Sequence, residues 1–102
     1  MTKSKAIVVV HSKWCPFCRT AVKIAGTLRR EFEIALKLLD IDVREVEREA
    51  DIYVKRHGDW SENYVIPQLF IEFEDGTVQH LFTGISDVKA ARAKLKTILN
   101  LA

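Results

Sequence analysis

Residues Ala6 to Val10 read Ala-Ile-Val-Val-Val, an unbroken apolar and largely β-branched run that ends at His11. Side chains alternate faces along a strand, so a run with no polar member must be covered on both sides. No other stretch restricts the fold as strongly. It predicts a central strand over Ala6–His11 in a layered α/β domain. The first cover is legible downstream, where Phe17, Ala21, Ile24, Ala25, Leu28 and Phe32 recur at helical spacing along a helix that opens at Cys15. Gly26 within that helix implies a close backbone approach, because glycine there costs about 1 kcal/mol against alanine.

Later elements follow the same logic. Glu33 to Ile41 reads as a second strand with Leu36, Leu38 and Leu39 inside. Asp42 followed by Glu45 resembles a capping box opening a helix at Val43, with Val46, Ala50 and Tyr53 as its buried stripe and Gly58 as its stop. Gln68–Phe73 and Thr77–Phe82 flank the turn Glu74-Asp75-Gly76 as a hairpin. Ser86 is placed to cap a last helix, with Asp87 in its first turn and Val88, Ala91, Leu95, Ile98 and Leu99 on its apolar face. The order β-α-β-α-β-β-α predicts one α/β domain over residues 1–102, with a four-stranded mixed sheet and helices on both faces. The first two strands should run parallel.

Charge and composition exclude several functions. Sixteen lysines and arginines against 14 acids leave a net charge of +2, too little for a dedicated polyanion binder. Lys89, Arg92, Lys94 and Lys96 lack interleaved aromatics and read as a solvated helix face, so no nucleic-acid partner is expected. The apolar amino-terminal run is shorter than a secretory core, and no stretch approaches the ~18 apolar residues of a membrane span. A cytoplasmic, monomeric protein with no membrane partner is the expectation. Two cysteines also exclude a disulfide-dense scaffold.

Both cysteines fall in one tetrapeptide, Cys15-Pro16-Phe17-Cys18, at a strand-to-helix junction. At this spacing the side chains share a helix face with Cα atoms about 5–6 Å apart, which suits a reversible disulfide. The first cysteine meets unpaired backbone N–H groups and the positive end of the helix dipole, which stabilise the attacking thiolate. Lys13 and Arg19 add positive charge, and Pro16 fits the first helical turn. Cys18, one turn in, should be the more shielded thiol. Two other readings stand beside dithiol chemistry. One is a metal site recruiting His11, His57 or His80; the other is a pair of ordinary buried thiols.

Trp14-Cys15-Pro16-Phe17-Cys18 after an apolar strand resembles the active site of the glutaredoxin and thioredoxin superfamily. Val65-Ile66-Pro67-Gln68-Leu69-Phe70-Ile71 is similar to that superfamily's cis-proline segment. The Cys-Pro-aromatic-Cys pattern and the short lead resemble glutaredoxins, and Val9 stands where thioredoxins carry a buried aspartate. Gly84-Ile85-Ser86-Asp87 is similar to the glutathione-binding segment of glutaredoxins, with Ile85 in place of a second glycine. The resemblance implies a thioredoxin-like fold and a thiol–disulfide oxidoreductase with Cys15 and Cys18 as catalytic residues. Lys13, Trp14, Pro16, Phe17, Arg19, Ile66, Pro67, Gly84, Ser86 and Asp87 are then the substrate-binding candidates, with Trp60 and Tyr64 as further groove walls beside Trp14. It implies a cis Pro67, no bound cofactor or metal, glutathione as reductant, and disulfide-containing proteins or glutathione as partners. A thioredoxin-like reductase served by a flavoprotein, and an iron–sulfur or metal carrier, are the alternatives.

Overall fold

The computed structural model describes residues 3–100. The elements are β1 (Ser4–His11), α1 (Pro16–Glu31), β2 (Ala35–Asp40), α2 (Arg44–His57), β3 (Gln68–Phe73), β4 (Val78–Thr83) and α3 (Val88–Ile98). The sheet has the order β2-β1-β3-β4. β1 pairs parallel with β2 and antiparallel with β3, and β3 pairs antiparallel with β4. The α/β order and the mixed four-stranded sheet are those the sequence predicts.

The apolar run of β1 is covered as its composition demands. Ile7 and Val9 join Leu69, Ile71 and Leu81 in a core closed by Ala21, Ala25 and Leu28 of α1 and by Ala91 and Leu95 of α3. Val8 and Val10 face the other way, with Phe70 and Leu39, against Ala50 and Val54 of α2. All four β1 side chains from Ile7 to Val10 are fully buried. The two cores lie on opposite faces of one sheet, so helices cover both sides.

Several local expectations need correction. Asp42 does not cap α2: Val43 is the N-cap residue and makes no side-chain cap bond, because the Asp42 carboxylate is engaged elsewhere, as described below. Ser86 does not cap α3. Asp87 does, its Oδ1 accepting from Ala90 N–H at 2.8 Å, since a charged acceptor one residue closer reaches the helix amides. The second strand starts only at Ala35, after a turn in which Glu33 adopts φ 54°. Leu38 is 45% exposed rather than interior, because β2 is an edge strand with a neighbour on one side only. Gly26 makes no close approach, as a Cβ there would meet nothing nearer than Arg30 Nη1 at 3.9 Å. Arg92 is not merely solvated: it forms a two-pronged ion pair with Glu31, Nε to Oε2 at 2.7 Å and Nη2 to Oε1 at 2.5 Å, tying α3 to the end of α1.

The close approach occurs instead at Gly58. It ends α2 in extended rather than left-handed backbone. A Cβ there would come within 2.8 Å of the Phe70 ring and closer still to Gln68 Oε1. Gln68 is fully buried and holds the following loop, accepting from Asp59 N–H at 3.1 Å and donating to Asp59 O at 3.1 Å and Val65 O at 3.0 Å. Gly58→Ala should therefore overpack this junction and cost about 1–3 kcal/mol, measurable as a lower denaturation midpoint, whereas Gly26→Ala should not lower it.

Candidate active site

β1 ends at His11, and the chain turns through Ser12, Lys13 and Trp14 before α1 starts at Pro16. Cys15 is the N-cap residue of α1 in extended backbone, with Pro16 in the first turn. Its N–H donates to Ser12 O at 3.4 Å, and Cys18 N–H donates to Cys15 O at 3.2 Å. Both cysteines are free thiols. Cys15 is 5% and Cys18 1% exposed, which keeps the expected order by a narrow margin. Electrostatics separates the two further. Burial, followed by a hydrogen bond to Cys15, pushes the Cys18 thiol up to about 12. Cys18 is thus held protonated at neutral pH, hydrogen-bonded to its partner sulfur.

The loop before Cys15 is clamped by a carboxylate from the loop that leaves β2. Asp42 Oδ2 accepts from Ser12 Oγ at 2.8 Å and from Lys13 N–H at 3.1 Å, while Oδ1 accepts from Trp14 Nε1 at 3.2 Å. The Ser12 hydrogen bond is the main cause holding this carboxyl below the ordinary carboxylate range, joined by the Lys13 and Trp14 bonds and the Lys13 charge. Sequence reasoning assigned Asp42 to the helix. Its true position follows from the sheet: β1 and β2 are parallel with His11 opposite Asp40, so the loops leaving their carboxyl ends lie side by side.

The cis-proline segment stands at the same end. The Ile66–Pro67 peptide is cis, and Gln68 pairs with Val10, which places Pro67 level with the end of β1. Gly84, at φ 81°, donates its N–H to Pro67 O at 2.8 Å. Phe17, Gly84, Ile85 and Ser86 line one small pocket of about 60 Å³. Trp14, Ile41, Tyr64 and Ile66 line a separate groove on the other side. Trp60 packs on Tyr64 at 5.6 Å between ring centroids but does not line that groove, so of the three expected aromatic walls two meet. Lys13 and Arg19 share a third groove with His11 and Cys18. The Lys13 ammonium lies 4.0 Å from Asp40. Asp87 is occupied at one oxygen by the cap of α3. His57 packs against Tyr53, and His80 bonds Thr83 Oγ1 at 2.7 Å. Among the described residues, no three His, Cys, Asp or Glu side chains cluster as a metal site.

No protein-family model matches the chain, and no curated protein matches it. Solved structures do. Thioredoxin O1 from Arabidopsis thaliana in its oxidised state superposes with a TM-score of 0.63 over 95% of this chain and 76% of its own, at 16% identity. The carboxy-terminal domain of Neisseria meningitidis DsbD in its reduced form superposes with a TM-score of 0.54 over 93% and 81%, at 14% identity. The chain has a thioredoxin-like fold. Glutaredoxin 1 from Francisella tularensis, complexed with cacodylate, is also similar, at 21% identity and a TM-score of 0.46 over 93% and 96%. Within this thioredoxin-like domain, Val9 is a fully buried apolar member of the core. No helix among its described residues is long and apolar enough to cross a membrane.

Two outcomes follow for the thioredoxin-like domain. Brief treatment with iodoacetamide at pH 7 to 9 should place a single adduct on Cys15, with Cys18 protected until the pH nears 12, as peptide mass mapping would reveal. Asp42→Asn should remove the loop clamp, since an amide oxygen cannot accept from all three donors while its NH2 faces them. In a Trp60→Phe background the Trp14 emission should then shift at neutral pH. With Asp42 intact, the clamp is complete above the ordinary carboxylate value of about 3.9. It is lost only as the pH falls through the lower folded-state value. An acid titration of Trp14 emission should show that transition, and the Asn variant should not.

Proposed function

We propose that this chain is a dithiol thiol–disulfide oxidoreductase that reduces disulfides in proteins and glutathione mixed disulfides in the cytoplasm, acting as a monomer and without a bound cofactor. The observation that carries this reading is the unequal placement of the pair. Cys15 stands at the amino terminus of α1, while Cys18 is hydrogen-bonded to it and held as a thiol.

In the proposed cycle the Cys15 thiolate attacks a substrate disulfide, and one substrate sulfur leaves as thiolate. A mixed disulfide remains on Cys15. Cys18 then loses its proton and attacks Cys15 Sγ, the second substrate sulfur departs, and the Cys15–Cys18 bond forms. Two electrons pass from the dithiol to the substrate disulfide. Two molecules of glutathione, or a flavoprotein reductase, would return them. Ser12, Lys13 and Trp14, gripped by Asp42, hold the nucleophile's loop in place, and the Ile66 backbone offers pairing to an extended substrate.

Glutathione as electron source rests on the resemblance of Gly84–Asp87 to a glutathione-binding segment, and Phe17 beside Gly84 and Ser86 is compatible with it. The exposed apolar rim favours polypeptide substrates and the flavoprotein route. Trp14, Phe17, Val65 and Ile85 are 72%, 52%, 60% and 78% exposed, and all lie at the sheet end where the cysteines sit. An exposed apolar cluster of this kind suits a protein partner.

Cys15→Ser should abolish exchange with both substrate classes, and retained activity would sink the assignment. Cys18→Ser should keep the first step and accumulate a mixed disulfide with protein substrates. Paired assays, one supplied by NADPH, glutathione and glutathione reductase and the other by NADPH and thioredoxin reductase, decide the electron source. Turnover confined to the second would replace the glutathione route by the flavoprotein one.

A further inference from the structure

Resolution by Cys18 needs a base, because that thiol is buried and held protonated. The site offers few candidates. Val9 is apolar and buried in the core. Asp42 is committed to three donors from the loop. Asp40 faces the Lys13 ammonium and accepts from Asp42 N–H at 2.9 Å. His11 is different. It follows Ile7 and Val9 in the alternation of β1, so its side chain lies on the α1 side of the sheet. It lines one groove with Cys18, Arg19 and Val22 of α1. Its Nε2 is buried and has no hydrogen-bond partner, the one such side-chain atom among the described residues. A buried ring nitrogen left unpaired calls for an explanation, and imidazole is a side chain whose ring nitrogen can take up a proton.

We propose that His11 takes the proton from Cys18 Sγ in the resolving step, directly or through one water in their shared groove. This rests on the dithiol reading above. With Cys15 joined to the substrate sulfur, Cys18 S–H gives its proton to His11 Nε2. The Cys18 sulfur then bonds to Cys15 Sγ, the Cys15–substrate bond breaks, and the electron pair leaves on the substrate sulfur. That thiolate takes up a proton from the imidazolium or from solvent. The substrate disulfide is the oxidant and the dithiol the reductant. The charged groups around His11 are Lys13 from the loop, Arg19 and Lys23 from α1, and Asp40, its partner in β2.

The test mixes the reduced full-length chain with an aryl disulfide whose thiolate is coloured, in a stopped-flow instrument. The first release of colour reports attack by Cys15, and the second reports resolution by Cys18. His11→Gln should leave the first phase within about twofold and slow the second by ~10²-fold at neutral pH, the lower end for loss of a general base. Added imidazole should recover part of the second phase. The deficit should close as the pH rises and Cys18 ionises unaided. His11→Phe, which fills the same space with an apolar ring, should behave like His11→Gln, and it serves alone if the glutamine variant does not fold. Equal slowing of both phases, an unaffected second phase, or no recovery by imidazole would each overturn the role of His11. If the unsubstituted chain released no colour at all, the dithiol reading itself would fail.

Discussion

Everything at the candidate site depends on burying β1 from both sides. Ile7, Val8, Val9 and Val10 are inaccessible to solvent, two facing α1 and α3 and two facing α2. At about 1.5–3 kcal/mol for each fully buried side chain of this size, burial holds the strand inside the sheet by several kcal/mol. A one-residue slip would exchange its faces, but both faces are apolar, so facing alone does not set the register. Neighbours do: β2 on one side and β3 on the other pair with it residue by residue. The strand ends where the polar residues His11 and Ser12 begin, and the cysteine loop is delivered to one edge of a rigid sheet.

Polar side chains then fasten the loops to that edge. Asp42 holds the segment entering Cys15, and Gln68 holds the segment leading to Pro67. The two devices differ in kind. Asp42 is a charged acceptor at an accessible position, sensitive to acid. Gln68 is a neutral amide in the interior, where each unmade hydrogen bond carries a desolvation penalty. The first allows the cysteine loop some response to conditions, while the second makes the cis-proline segment a fixed reference beside it.

Apolar periodicity carried the fold. The strand at Ala6–His11, the helical face running through Ala21, Ile24, Ala25 and Leu28, and the hairpin around Gly76 were all legible, because each is dictated by burial pattern or turn chemistry over several residues. Single polar residues were not. Asp42 and Ser86 look like caps in sequence, yet the outcome turned on which donors a folded sheet brings within reach. Gly26 and Gly58 were likewise read by local rules. Only the packing of Phe70 and Gln68 against α2 reveals that the second glycine is the one without room for a side chain. The cysteines were legible as a pair, and the narrow difference in their exposure was not. What separates them is burial acting on Cys18 together with its bond to Cys15.

The hydrogen bond from Gly84 to Pro67 has a consequence for how a polypeptide can dock. Pro67 has no N–H, and its carbonyl is occupied by Gly84, while the Val65 carbonyl is occupied by Gln68. Between them, neither main-chain group of Ile66 is hydrogen-bonded among the described residues. An extended chain laid beside this segment therefore finds a landing place one residue long, with a single donor and a single acceptor. Sliding by one position in either direction would forfeit at least one of those bonds. The edge thus acts less like a sheet awaiting another strand than like a caliper one residue wide.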